Sequence, residues 1–127
     1  MKKGRLSRKR KVRSQKEILR DRAWATFSLW IRNRDKKCVT CGSEANGQAG
    51  HRWHARLDFD EININRQCSH CNKWKQGNLG KYDDYLITKY GIEEWNALYQ
   101  RKNMDSAGEY RTEQDYLDII DKYQLST

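Results

Sequence analysis

At 127 residues, with 36% hydrophobic and 34% charged content, the chain is a single domain with a small core. Folding would bury roughly two-thirds of the surface its unfolded form exposes. The formal net charge is +9, and no apolar run approaches the ~18 residues a membrane span needs and no export signal is seen, so nothing is expected to span or cross a membrane and no membrane partner is expected. The charge is lopsided: residues 1–37 hold 15 Lys/Arg against 3 Asp/Glu (+12), and the remainder 11 against 14 (−3). A basic end on a near-neutral body suits a polyanion such as nucleic acid.

Residues 1–14, MKKGRLSRKRKVRS, offer only Leu6 and Val12 as sizeable apolar groups and are expected to form a disordered basic arm. Such an arm would contact phosphates and make affinity salt-dependent. From about Gln15 to Asn33 the pattern is helical, with Leu19, Ala23, Phe27 and Trp30/Ile31 recurring at steps of three and four. Trp24 and Trp30 are read as core packing. A short, irregular hairpin is expected from about Gln48 to Phe59, with Asp60 to Arg66 as loop and return. A short helix then carries Asn72 in its first turn and stops at Gly77. Leu79–Tyr90 is helical with Gly91 as its cap, and a second helix runs from about Ile92 to Arg101. After a loop at 103–109, Thr112 and Asp115 form a box-like start to a final acidic helix carrying Tyr116, Leu117, Ile119, Ile120 and Tyr123. That helix is expected to pack on the body. The whole reads as a mainly helical α+β domain in residues 15–101, with residues 102–127 as loop and acidic helix.

Cys38-Val-Thr-Cys41-Gly42 and Cys68-Ser-His-Cys71 are two knuckles. Four thiolates at that spacing satisfy zinc with no open position, so a structural zinc held by Cys38, Cys41, Cys68 and Cys71 is expected, and His70 is unnecessary as a ligand. The 26 residues between the pairs exceed the roughly 15–20 of an ordinary zinc ribbon. They contain His51, His54 and Asn63, and Asn72 follows the second pair directly. Phosphodiester hydrolysis needs a base for water and a cation for the phosphate. A neutral histidine supplies the first, and an asparagine oxygen suits magnesium or manganese. Arg52, Arg56, Arg66, Lys73 and Lys75 surround these residues and are suited to gripping phosphates. Trp53 and Trp74 could stack on unpaired bases or pack in the core.

The order His…Asn…Cys-x-x-Cys-Asn resembles the HNH, or ββα-metal (His-Me finger), endonucleases, with Asn72 in place of the usual last histidine. The likeness narrows to phage recombination nucleases of the NinG (Rap) type, carried by IRNRD, CVTCG, QAGH at 48–51, FDEIN at 59–63, QCSHCNKWKQGN at 67–78 and YDDYLITKYG at 82–91. It covers about residues 27–100 and leaves out the basic arm and the final helix. The resemblance implies a zinc-stapled ββα-metal core with flanking helices, and an endonuclease acting on branched DNA inside the phage-infected host cell. It makes His51 the general base, Asn63 the brace of the hairpin, and Asn72 a ligand of a catalytic Mg²⁺ or Mn²⁺. Gly50 stands where many such enzymes carry a second metal ligand, a role left to His54 first, or to Asp58 or Asp60. A non-catalytic zinc-knuckle DNA-binding protein is the rival reading, and RNA remains open as the substrate. Symmetric cutting of a junction would call for a homodimer.

Overall fold

The computed structural model describes residues 12–54, 57–104 and 110–125. Among the described residues four α-helices surround one two-stranded sheet: α1 (Gln15–Arg34), β1 (Gly47–His51), β2 (Ile64–Cys68), a π-helical turn (His70–Trp74), α2 (Leu79–Tyr90), α3 (Ile92–Met104) and α4 (Glu113–Tyr123). The protein is thus a helix-dominated α+β fold. Most of the arm read at residues 1–14, and most of the loop at 103–109, lie outside the described residues.

Helix α1 begins on a capping box, in which the Ser14 hydroxyl accepts from the Glu17 amide and the Glu17 carboxylate accepts from the Ser14 amide. Its stripe of Leu19, Ala23, Phe27 and Ile31 repeats every four residues, and all four are buried. Helix α4 starts on a second box built by Thr112 and Asp115 and lies along α1. Leu19 and Ala23 meet Tyr116, while Phe27 and Ile31 meet Ile64 of β2 and Tyr123. The Tyr123 ring stands edge-on to Phe27 at 4.7 Å and to Trp30 at 4.9 Å, a favoured aromatic geometry.

The sheet differs from the expected hairpin at 48–59. The first strand ends at His51, and its partner is Ile64–Cys68, paired antiparallel with Gly47 opposite Cys68 and His51 opposite Ile64. The Asp60 carboxylate makes the turn that redirects the chain, accepting from the amides of Ile62 and Asn63. Ile64, Asn65, Gln67 and Cys68 are all buried, so β2 is covered on both faces and shows no apolar/polar alternation.

Beyond the sheet, Tyr82, Leu86 and Leu98 form a second core with Val39, Trp53, Leu57, Ile62 and Trp95. The sheet therefore lies between α1 and α4 on one side and α2 and α3 on the other. The segment after Cys71 is a π-turn, closed by a bond from the Lys75 amide to the His70 carbonyl. Gln76, Gly77 and Asn78 then all take positive φ, reversing the chain into α2. No helix among the described residues is long and apolar enough to cross a membrane.

Candidate metal centre and histidine cleft

The two knuckles bring Cys38, Cys41, Cys68 and Cys71 together, with their sulfurs all within 4.8 Å of one another. Four sulfurs at ~2.3 Å around a tetrahedral zinc stand about 3.8 Å apart, and the Cys41–Cys68 separation is 3.7 Å. The set could hold a zinc ion. Polar groups already point at the sulfurs: the Thr40 hydroxyl lies 3.1 Å from Cys38 Sγ, the Cys71 amide donates to Cys68 Sγ, and Asn78 Nδ2 donates to Cys71 Sγ. Burial raises the Cys38 thiol, but the Thr40 hydroxyl and nearby amides outweigh it and bring the thiol down to about 6. The Ser43 amide favours a Cys41 thiolate, yet burial and the three crowding sulfurs push that thiol up to about 12.

The strand pleat sends successive side chains to opposite faces. Gln48, Gly50, Asn65 and Gln67 share the face toward the π-turn and α2, while Ala49, His51, Ile64 and Arg66 share the other. On the first face Asn72 Nδ2 donates to Gln48 Oε1 at 2.8 Å. A Cβ at residue 50 would lie 2.1 Å from Gln67 Oε1 and 3.1 Å from Asn72 Oδ1, so only glycine fits there. Gln67 Oε1 is buried with no hydrogen-bond partner, its Nε2 being held by the Gly77 carbonyl and Thr40. Two amide oxygens thus converge over Gly50. Beneath them the buried Tyr82 hydroxyl donates to the Gly50 carbonyl at 2.7 Å and accepts from Asn65; burial, foremost, raises that phenol.

On the second face His51 sits at the strand end. Its Nε2 is 3.0 Å from Asp58 Oδ1, and its ring is stacked between Trp24 (5.2 Å) and His54 (4.8 Å). A cleft of about 210 Å³, lined by Arg20, Asp21, Trp24, His51, Asp58 and Phe59, opens over it. Burial, then the neighbouring His51, lowers the His54 pKa against the opposing pull of Asp58. A proton on Nε2 donated to Asp58 leaves the lone pair on Nδ1, while the ring stack fixes the imidazole plane.

Asn63 is fully buried and closes the irregular segment between the strands. Its Oδ1 accepts from the Trp53 amide, and its Nδ2 donates to the carbonyls of Trp53 and Leu57. Its own carbonyl accepts from the Arg52 amide, next to His51. His54 and Asp58 lie at His51, and Asp60 holds the 60–63 turn and pairs with Arg101; none of the three hydrogen-bonds to Asn72. His51 and Asn72 thus flank one strand end from opposite faces. Sequence reasoning did not find Asp58 as the partner of His51, Trp24 as its stacking surface, or Gln67 beside Asn72. Nothing in residue spacing signals the first two, whereas Gly50 facing a β2 position could have pointed to the third.

Among the candidate phosphate-gripping residues, Arg52 forms a two-pronged pair with Asp83 (2.5 and 3.0 Å) and lies over Trp53. Arg66 donates to the carbonyls of Arg32, Asp35 and Glu44. Lys73 and Lys75 are exposed beside Trp74, itself 81% exposed, whereas Trp53 packs on Trp95 and Tyr99. Arg56 lies outside the described residues.

The fold and site define a small, helix-rich α+β chain with a cysteine tetrad able to hold zinc. The family model described as Bacteriophage Lambda NinG protein matches residues 2–127, and the chain belongs to that family. It is similar to Protein ninG of Escherichia phage 933W, with 41% identity over 78 residues covering 57% of this chain and 39% of that protein. Protein ninG of Salmonella phage P22 is 46% identical over 67 residues (48% and 33%). The phage lambda protein is 40% identical over 78 residues (57% and 38%). The match thus spans less than two-fifths of the length of these relatives. No solved structure matches the chain.

Proposed function

We propose that the chain is a metal-dependent endonuclease of the HNH type that hydrolyses phosphodiester bonds in DNA, with branched or otherwise structured recombination intermediates as its substrate class. The observation that carries this reading is His51, oriented by Asp58 and stacked between Trp24 and His54, one residue from the position over which the Asn72 and Gln67 oxygens converge. In this reading β1, β2 and the π-turn correspond to the ββα core, and the tetrad holds structural zinc.

The donor set near Gly50 fits a hard cation only in part. Asn72 Oδ1 and the unpartnered Gln67 Oε1 are oxygens, but neutral ones, so phosphate and water would complete the shell. When bound there, Mg²⁺ or Mn²⁺ would neutralise charge on the phosphate and the leaving oxygen. His51 accepts a proton from a water molecule, whose oxygen forms the new bond to phosphorus as the bond to the 3′ oxygen breaks. That oxygen takes a proton from solvent, leaving 3′-hydroxyl and 5′-phosphate ends. Asp58 stabilises the imidazolium that forms, and Asn63 keeps the segment after His51 in place.

The test is cleavage of plasmid and four-way-junction DNA with Mg²⁺ or Mn²⁺, wild type against His51→Ala. Loss of the base should slow cutting by about 10²–10⁴-fold. Equal cutting by both proteins would remove His51 from the mechanism. Binding without cutting by the wild type would leave a zinc-knuckle DNA-binding protein.

A further inference from the structure

A second concavity among the described residues, apart from the His51 cleft, is an open groove of about 820 Å³ between the end of α1, the first knuckle and α2. Six cations line it: Arg34, Lys36, Lys37, Lys75, Lys81 and Lys89. The single carboxylate of the lining, Asp35, is buried and already holds Arg34 at 2.9 Å and the Arg66 amide at 2.9 Å. The side chains therefore leave +5 on the groove, six cations less one carboxylate. A zinc bound by four thiolates would add a formal −2, and +3 would remain. Lys36, Lys37, Lys75 and Lys81 are exposed and make no ion pair among the described residues.

The arrangement has direction as well as sign. Lys81, Tyr85 and Lys89 succeed one another every four residues, so they form one stripe along α2 facing the groove. Eight residues of helix advance about 12 Å, which matches three to four phosphates of one strand at ~3.4 Å each. Lys89 Nζ donates to the Tyr85 hydroxyl at 3.2 Å, which keeps the ammonium on that stripe. Repeated, unpaired lysines along an open trough fit a continuous line of phosphates better than a compact anion.

We propose that this groove, which shares no lining residue with the His51 cleft, seats the phosphate backbone of a duplex DNA arm. The proposal rests on the DNA reading given above and adds a second point of contact.

Binding to a fluorescent four-way junction is measured as a function of salt, using the His51→Ala protein so that nothing is cut. A second protein also carries Lys36→Ala, Lys37→Ala, Lys75→Ala and Lys81→Ala. Loss of four phosphate contacts should reduce the slope of log K against log salt by about 3.6. Folding is kept out of the outcome in two ways. A fourfold Lys→Arg protein should restore the slope, and on the unmutated protein DNA should shield Lys36, Lys37, Lys75 and Lys81 from acetylation while exposed Lys122 stays reactive. If His51→Ala protein binds no DNA at low salt, the DNA reading falls and this proposal with it. If it binds with the same slope with and without the four lysines, the groove alone is refuted. Equal competition by polyglutamate, or loss of RNA but not DNA binding in the lysine variant, would also overturn it.

Discussion

Replacing Asn63 tests how the segment after His51 is held. The side chain is fully buried and makes three hydrogen bonds with main-chain groups, at 2.9 Å to the Trp53 amide, 2.9 Å to the Trp53 carbonyl and 3.1 Å to the Leu57 carbonyl. Asn63→Ala leaves all three without that partner. At a net value of about 1 kcal/mol each, the loss is about 3 kcal/mol, a large share of the ~5–15 kcal/mol that stabilises a typical domain. Asn63→Asp preserves the shape and the acceptor for the Trp53 amide. It removes both donors, however, and turns a buried negative charge toward two carbonyl oxygens, so it should cost more than alanine. A role limited to filling space would give the opposite order. Urea unfolding of the zinc-loaded proteins, followed by far-ultraviolet circular dichroism, measures both. An alanine variant within 1 kcal/mol of wild type, or an aspartate variant more stable than the alanine one, would refute the argument.

Cys68→Ser should abolish tight zinc binding, read by metal analysis after dialysis; a well-folded variant that retains one equivalent of zinc would contradict a four-sulfur site. Because the Cys41 thiol is raised to about 12, zinc must displace at least its proton at neutral pH. Affinity should therefore rise with pH and fall on acidification, by at least about tenfold per pH unit, which competition with a chromophoric chelator between pH 6.5 and 8 can follow. Asp58→Asn can present an NH₂ to His51 Nε2, so the imidazole should move its proton to Nδ1; nitrogen chemical shifts of the ring report the change, and DNA cleavage should fall with it. Gly50→Ala puts a methyl 2.1 Å from Gln67 Oε1, whose amide is pinned by the Gly77 carbonyl, and should cost about 1–3 kcal/mol in thermal or urea unfolding.

The helices were legible because their signals are local. The four-residue stripe of α1, Gly91 after α2 and the Thr112–Asp115 box before α4 can each be read from a few neighbouring residues. The position of β2 could not be read in that way. Its buried polar residues bond to groups outside the strand: Asn65 to Tyr82 and the Ile62 carbonyl, and Gln67 through its Nε2 to Thr40 and the Gly77 carbonyl. A strand buried on both faces with amides in it has neither alternation nor an apolar run. The π-turn was expected as an ordinary short helix, and its distinguishing feature is the left-handed run at Gln76–Asn78, two positions of which are not glycine. Candidate site residues were legible by type and order, but His51 pairs with Asp58 across an irregular segment that carries no periodic signal.

The cysteine tetrad and the histidine cleft are positioned by different parts of the fold. Gln67 directly precedes Cys68, and Asn72 directly follows Cys71. The two amide oxygens over Gly50 are therefore each one residue from a sulfur of the tetrad, and Asn78 links the end of the π-turn back to Cys71. His51 owes its place to Trp24 on α1, to Asp58 and to the Asn63-braced segment, none of which touches the sulfurs. The core that supports Trp24 joins α1 and α4 to Ala49 and Ile64 of the sheet and includes none of the four cysteines. Zinc loss should then disturb Asn72 and Gln67 first, while the ring stack at His51 persists as long as α1 and α4 stay packed. On the proposed mechanism, the protein would lose its hold on the hard cation while keeping its base.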